Sequence, residues 1–501
     1  MNKGAPGQSA YPDKHPAGLQ TLFLTEMWER MSYYGMRALL VLFMIDRVEN
    51  GGFGFTDQTA TAIYGLYTAA VYMVMLPGGW IADRLLGAQK AVWYGGIVIM
   101  CGHFILAIPN LHTFFIGLVC VVLGTGLLKP NISAIVGELY APGDPRRDAG
   151  FTIFYMGINL GGAIGPLICS TLGESEAFGW HYGFAAAGVG MLFGLIQFAM
   201  SSARLGAAGL EPSLNRDDPA DRRKIRVRWR FVSAALAIIV IGIALLLAGA
   251  VSVDPLLLAA NTTIFITAIA GLYFMYLFVS GGLDRVEKKR LVVIIILFFA
   301  SAMFWAGFEQ AGSSLNLFAE RYTDRMIGSF EIPAGWFQSL NPTFIIVLAP
   351  LYSALWVALA RRHLDPSTPA KFAIGLIILG LGFAVMIGAA NLVVAGNKVL
   401  PTWLIFTYLL HTMGELALSP VGLSATTRLA PKRYVGQMMG VWFLGSALGN
   451  IIAGLIAGQF SADAVAEMPR LYTQIVLTTA GSGLLLALFS RPIRKLMGGA
   501  D

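Results

Sequence analysis

The stretch Glu26-Met27-Trp28-Glu29-Arg30-Met31-Ser32-Tyr33-Tyr34 places three full charges and two phenols inside an otherwise apolar run. At about 100° per residue, Glu26, Glu29, Arg30, Tyr33, Tyr34 and Arg37 share one helical face, while Met27, Trp28, Met31 and Gly35 take the other. Two acids and two bases on one stripe can pair, and a carboxylate beside a cation can switch its protonation as that pair opens or closes. Each charge costs ~2.5–3.5 kcal/mol at a bilayer centre, so the cluster is expected to face a water-filled cavity. A purely structural buried ion pair is the competing reading.

Further ionisable groups stand well inside apolar segments: Lys129 in Gly126-Leu127-Leu128-Lys129-Pro130-Asn131, Glu309 in Phe304-Trp305-Ala306-Gly307-Phe308-Glu309-Gln310, and Glu415 in His411-Thr412-Met413-Gly414-Glu415-Leu416. None is close enough to a segment end to reach the interface by its own length. Asn159 and Asn341 add amides that serve either as helix-to-helix bonds or as ligand contacts. Tyr64 and Tyr72, eight positions apart, fall on roughly one face and suit packing or anchoring at the interface.

The N-terminal part therefore supplies a net basic lining and the C-terminal part an acidic one. A cavity between them is dipolar and suits a small zwitterion, with its carboxylate toward the first part and its ammonium toward the second. Tyr33, Tyr34, Tyr72, Trp305 and Trp442 are candidates to wall apolar substrate groups, with packing the alternative for each tryptophan. His411 reads as a hydrogen-bonded packing residue, and Ser419-Pro420 has no neighbouring base. No metal-ligand cluster, nucleophile elbow or phosphate-cradling loop occurs, so an enzyme is not expected.

The elements that must position these groups are membrane spans. Of 501 residues, 56% are hydrophobic and 13% charged, more apolar than one water-soluble core requires. Apolar runs of roughly 20 residues recur along the chain and lack the alternation of a membrane barrel. Spans are predicted at 19–48, 57–83, 89–108, 112–139, 149–172, 180–203, 229–251, 255–280, 291–320, 336–360, 371–391, 401–428, 435–459 and 471–490.

Of 35 Lys and Arg, only Arg47, Arg321, Arg325, Lys398 and Arg470 fall in loops on one side, and Arg30, Arg37 and Lys129 fall within spans. The positive-inside rule then predicts both termini in the cytoplasm. It also accounts for the net charge of +7, so Arg222-Arg223-Lys224-Ile225-Arg226-Val227-Arg228 is read as topological rather than as a nucleic-acid site. No cleavage-like motif follows the first apolar run, which predicts an uncleaved N-terminus. Cys101, Cys120 and Cys169 lie in apolar segments without metal or disulfide spacing.

Two echoes suggest duplication. Gly124-x5-Pro130 recurs as Gly414-x5-Pro420, and Leu160-Gly161-Gly162-Ala163-Ile164-Gly165 as Leu444-Gly445-Ser446-Ala447-Leu448-Gly449. They predict two six-helix bundles, 19–203 and 291–490, as parallel repeats. The remainder is a tail at 1–18, a basic linker at 204–228, an inserted lipid-facing hairpin at 229–280, a second basic linker at 281–290 and a tail at 491–501.

At these motifs the sequence resembles a bacterial member of the proton-coupled oligopeptide transporter family within the major facilitator superfamily. Glu26-x-x-Glu29-Arg30-x-x-Tyr33-Tyr34 is similar to that family's first-helix signature, with Met31 where Phe is usual. Phe151-Thr152-Ile153-Phe154-Tyr155-Met156-Gly157-Ile158-Asn159-Leu160-Gly161-Gly162 resembles its fifth-helix signature, and Gly79-x3-Asp83-Arg84-x2-Gly87 the superfamily's loop after the second helix. Phe304-Trp305-x3-Glu309-Gln310-x-Gly312-Ser313 and Gly414-Glu415-x3-Ser419-Pro420 extend the likeness over nearly the whole chain.

The resemblance implies an all-α major facilitator fold of 14 transmembrane helices, importing di- and tripeptides with protons across a bacterial inner membrane as a monomer, with no cofactor. Arg30, Lys129 and Tyr34 would hold the peptide carboxylate. Asn159, Asn341 and Glu415 would hold the amino terminus, with Tyr33, Tyr72, Trp305, Trp442 and Ser419 lining pockets. Glu26, Glu29, Arg30 and Glu309 would couple protons, Arg37–Glu309 would gate the outside and Lys129–Glu415 the inside. Animal members carry a His beside the second-helix Tyr; Tyr64 is followed by Gly65, so no such carrier is expected here. A carrier of nitrate, amino acids or drugs on the same fold, or a receptor without flux, is the alternative.

Overall fold

The computed structural model describes residues 14–141, 144–215, 217–460 and 462–498; the expected tails 1–18 and 491–501 lie partly outside these. The described chain is helical apart from one two-stranded hairpin, Met326–Ile327 with Phe330–Glu331. Its helices are α1 (Gly18–Ile45), α2 (Asp57–Ile81), α3 (Ala88–Leu106), α4 (Leu111–Glu138), α5 (Arg147–Gly173), α6 (Trp180–Ser201), α7 (Pro219–Leu247) and α8 (Pro255–Ser280). They continue as α9 (Arg285–Phe308), α10 (Ser314–Tyr322), α11 (Leu340–Arg361), α12 (Thr368–Val394), α13 (Thr402–Leu429), α14 (Val435–Ala457), α15 (Met468–Leu488) and α16 (Ser490–Leu496). Helices follow from the apolar composition, because hydrocarbon offers no partner to a backbone amide that the segment does not bond internally.

Twelve of the described helical segments are long and apolar enough to cross a membrane. The expected spans at α1 and α3 are helical but fall outside that set. Glu26, Glu29, Arg30 and Arg37 charge the first, and Gln89, Lys90 and His103 dilute the second.

Two local features add detail to these expectations. Within the span predicted at 291–320, α9 stops at Phe308, a 3₁₀ turn covers Glu309–Gly312, and α10 resumes at Ser314. A Cβ at Gly312 would collide with the Tyr64 hydroxyl, so the turn is seated directly on α2. The linker predicted at 204–228 is helical from Pro219, because Asp218 caps the Ala220 amide at 2.9 Å and Pro219 is preset for a first turn.

Packing is closest within Gly18–Ser201, where α5 and α6 lie on α1 and α4 lies on α3, and within Arg285–Leu488, where α14 lies on α9 and α13 and α15 lie on α12. The echoes occupy corresponding contacts. Gly124 meets the backbone of α3 at Gly95 and Gly414 that of α12 at Gly375; Gly165 meets α1 at Met31, and Gly449 meets α9 at Ala302 and Trp305. Helix α2 joins the two groups along α14, where Gly65 and Gly454 let the backbones touch. The start of α1, the ends of α4 and α6, and the α9 and C-terminal segments gather at one end, here the terminal end; the opposite end is the far end.

Candidate functional site

The predicted α1 face forms as drawn. Arg30 Nε lies 3.3 Å from Glu26 Oε1, its Nη2 donates to Glu29 Oε1 at 2.6 Å, and the Nε also pairs with Glu29. All three side chains are fully buried, which α5 allows by presenting Gly161 to Met27 and Arg30. The Arg30 guanidinium also sits 5.0 Å from the Tyr33 ring and 5.9 Å from Tyr34. Glu26 Oε2 is buried with no hydrogen-bond partner.

Two turns along, Arg37 pairs with Glu309 of the 3₁₀ turn and donates to the Tyr64 hydroxyl; the pair is 9% and 3% exposed. It therefore ties α1 to the second group of helices with little water to screen it. Tyr64, read from sequence as packing or an interface anchor, is thus a bonding partner of the buried charge. The period identified its face but carries no information on which helix lies opposite.

Lys129 on α4 is half-buried with its Nζ 5.3 Å from the Tyr72 ring, and has no ion-pair partner among the described residues. Glu415 on α13 accepts from Asn341 Nδ2 at 2.9 Å, and the same amide reaches Thr412 Oγ1 at 3.0 Å. Lys129 and Glu415, expected to pair, are not joined: the Glu415 carboxylate is held by Asn341. Asn159 donates back to the Tyr155 carbonyl of its own helix at 2.9 Å rather than to another helix. Ser419 is half-buried on the Glu415 helix.

Trp305 has a buried Nε1 without a hydrogen-bond partner, whereas Trp442 is wedged between Phe372 and Gly422. His411, expected to be hydrogen-bonded, has both ring nitrogens buried and unpartnered, with Phe383 at 4.7 Å. Aromatic packing is what holds it.

Sequence reading missed the far-end contacts. Arg321 makes paired bonds of 2.9 and 2.6 Å to Asp57, and Asn316 donates to the Ala38 carbonyl at 2.9 Å. Glu174, just past α5, accepts the Ala334 and Gly335 amides at 2.5 and 2.9 Å, with Arg325 4.0 Å away. The few far-side arginines, set among many acids of the same side, were the available signal. Among the described residues every ion pair joining the two groups (Arg37–Glu309, Arg321–Asp57, Arg325–Glu174) lies toward the far end, and none closes the terminal end.

The family model described as the POT family (PTR2) matches residues 89–473. The peptide transporter YePEPT of Yersinia enterocolitica subsp. palearctica is 46% identical over 497 residues, covering 97% of this chain and 96% of that one. The di-/tripeptide transporter of Lactococcus lactis subsp. cremoris is 37% identical over 496 residues, with 96% and 97% covered. A solved peptide transporter POT in complex with sulfate superposes with a TM-score of 0.88 at 41% identity over 97% of this chain and 96% of that one. A POT family transporter in complex with 5-aminolevulinic acid gives 0.84 at 33% identity over 96% and 97%. The chain belongs to the POT family of transporters and is a multi-pass membrane protein.

Proposed function

We propose that the protein carries di- and tripeptides across a bacterial inner membrane together with protons, as a monomer with both termini in the cytoplasm and no cofactor. The reading rests first on one observation: a buried Arg37–Glu309 pair locks the far end while Lys129 in the first group and Glu415 in the second stay unjoined. That is a dipolar site with one gate shut.

In this reading the 14 spans form two six-helix bundles, 19–203 and 291–490, of a major facilitator fold, with 229–280 an inserted hairpin. The bundles rock about a fixed central site. Arg30, Lys129 and Tyr34 take the peptide carboxylate; Asn159, Asn341 and Glu415 take its ammonium, with Tyr33, Tyr72, Trp305, Trp442 and Ser419 lining the pockets. Glu415 is held ready by Asn341, so an arriving ammonium replaces a neutral donor to the carboxylate with a charged one.

Protonation of Glu309 or Glu29 neutralises the partner of Arg37 or Arg30, freeing a cation to open the far end or to bind substrate. A negative-inside potential supplies ~2.3 kcal/mol per charge per 100 mV, enough for an entering proton to drive accumulation of a neutral zwitterion.

The deciding experiment is uptake of labelled dialanine into proteoliposomes with an inward proton gradient. Accumulation that collapses with a protonophore supports the proposal. Absence of entry, in counterflow as well, refutes it.

A further inference from the structure

Helix α7 buries none of its residues and rests on the molecule mainly through the turn Ala82–Leu86 that follows α2. Between α7 and Trp80 of α2 lies an open groove of about 490 Å³ lined by Trp80, Arg223, Lys224, Val227, Arg228 and Phe231. The α7 members fall at i, i+1, i+4, i+5 and i+8, one stripe of the helix. From the terminal end inward that stripe runs cation, cation, valine, arginine, phenylalanine. The groove is walled almost entirely by apolar surface, with three cationic side chains along its α7 side.

One of these cations has a shielded nitrogen without an acceptor. Lys224 is held by Asp221 at 2.9 Å, but Arg228 lies over the Trp80 ring at 5.7 Å with its Nη1 shielded from solvent and no hydrogen-bond partner. A buried guanidinium nitrogen without an acceptor is destabilising, so an occupant that supplies one gains affinity. The chemistry that fits is a phosphate diester, which meets the planar fork of arginine with two oxygens. The walls below it, Trp80, Val227 and Phe231, call for hydrocarbon, and α7 is lined with exposed apolar side chains beyond them. A nucleic acid or an acidic peptide would use the charges and leave that apolar floor in contact with polar groups.

We propose that this groove binds one anionic glycerophospholipid, its phosphate on Arg223 and Arg228 and an acyl chain between α7 and α2. The lipid fills the space that α7 leaves and docks the hairpin onto the bundle. The basic run Arg222–Arg228 is then a headgroup site as well as a topological signal.

The test is native mass spectrometry of the full chain in detergent, titrated with phosphatidylglycerol and, separately, phosphatidylcholine. One phosphatidylglycerol is expected to be retained at least tenfold more tightly than phosphatidylcholine, a comparison that needs no variant. Each cation beside an anionic surface is worth about fivefold, so Arg223→Gln lowers retention about fivefold and Arg223→Gln with Arg228→Gln about 25-fold. Lys288→Gln with Lys289→Gln, basic residues of the same end outside the groove, changes it less than about twofold.

Equal retention of the two lipids overturns the proposal, as does an equal loss in the Lys288/Lys289 variant, which would mean diffuse charge. Displacement of the lipid by soluble glycerol phosphate, or tighter binding of a short RNA, overturns it too, by assigning the cations to a soluble anion or to nucleic acid.

Discussion

Closure of the far end should depend on the proton held by Glu174. Burial pushes this carboxyl up to about 7 from its ordinary 4.5; Glu320 adds to the rise, while the Gly335 and Ala334 amides and the Arg325 guanidinium oppose it. When the halves separate at this end, Glu174 becomes hydrated and returns toward its ordinary value, so closing takes up a proton. The contribution to the closed state is therefore fully present below pH 4.5 and is lost as pH rises through about 7.

Moving a carboxyl from 4.5 to about 7 corresponds to at most about 3.4 kcal/mol, a population ratio of roughly three hundred. Spin labels at Val48→Cys and Met326→Cys, 67% and 52% exposed at the far end on opposite groups, would report it with Cys101, Cys120 and Cys169 removed. The open fraction in detergent should grow between about pH 5 and about pH 8. Other buried carboxyls also titrate, so the decisive comparison is Glu174→Gln, whose amide stays neutral. Its open fraction should follow a distinctly shallower pH profile. Identical profiles in the two proteins would refute the latch.

Glu309→Gln leaves Arg37 buried and uncompensated, a cost of about 3–5 kcal/mol; the same labels should report a far end that no longer stays closed. Glu29→Gln should abolish proton-driven accumulation of dialanine while sparing peptide-for-peptide exchange, and intact accumulation in that variant would remove Glu29 from the coupling group. Asn341→Ala frees the Glu415 carboxylate of its one hydrogen bond. If that bond pre-orients the ammonium site, the change should raise the KM for dialanine by about tenfold with little effect on maximal rate. Gly312→Ala forces a Cβ into the Tyr64 hydroxyl, and thermal unfolding of the purified protein should show a loss of about 1–3 kcal/mol.

What could be read in the sequence follows from how its information is distributed. A helical period of 3.6 residues assigns a face without assigning a neighbour. The stripe Glu26, Glu29, Arg30, Tyr33, Tyr34, Arg37 therefore follows from spacing alone, and so do the bonds within it. The same rule could not say that Arg37 meets Tyr64, or that Glu415 is held by Asn341 instead of Lys129, because those partners lie on other helices and depend on which end is closed.

The small-residue echoes were legible for a different reason. A glycine repeated at the same offset marks a place where two backbones touch, and the touching pairs α3–α4 and α12–α13 stand in the same relation. The break at Glu309–Gly312 escaped because the apolar run continues through it; hydropathy measures the environment of a segment, whereas the turn is set by one glycine against one tyrosine of another helix. The groups that act together here, Arg37, Glu309 and Tyr64, come from three segments whose hydropathy is each self-consistent. A charge that a membrane helix retains at such cost marks where a partner must arrive, and only the fold says which partner it is.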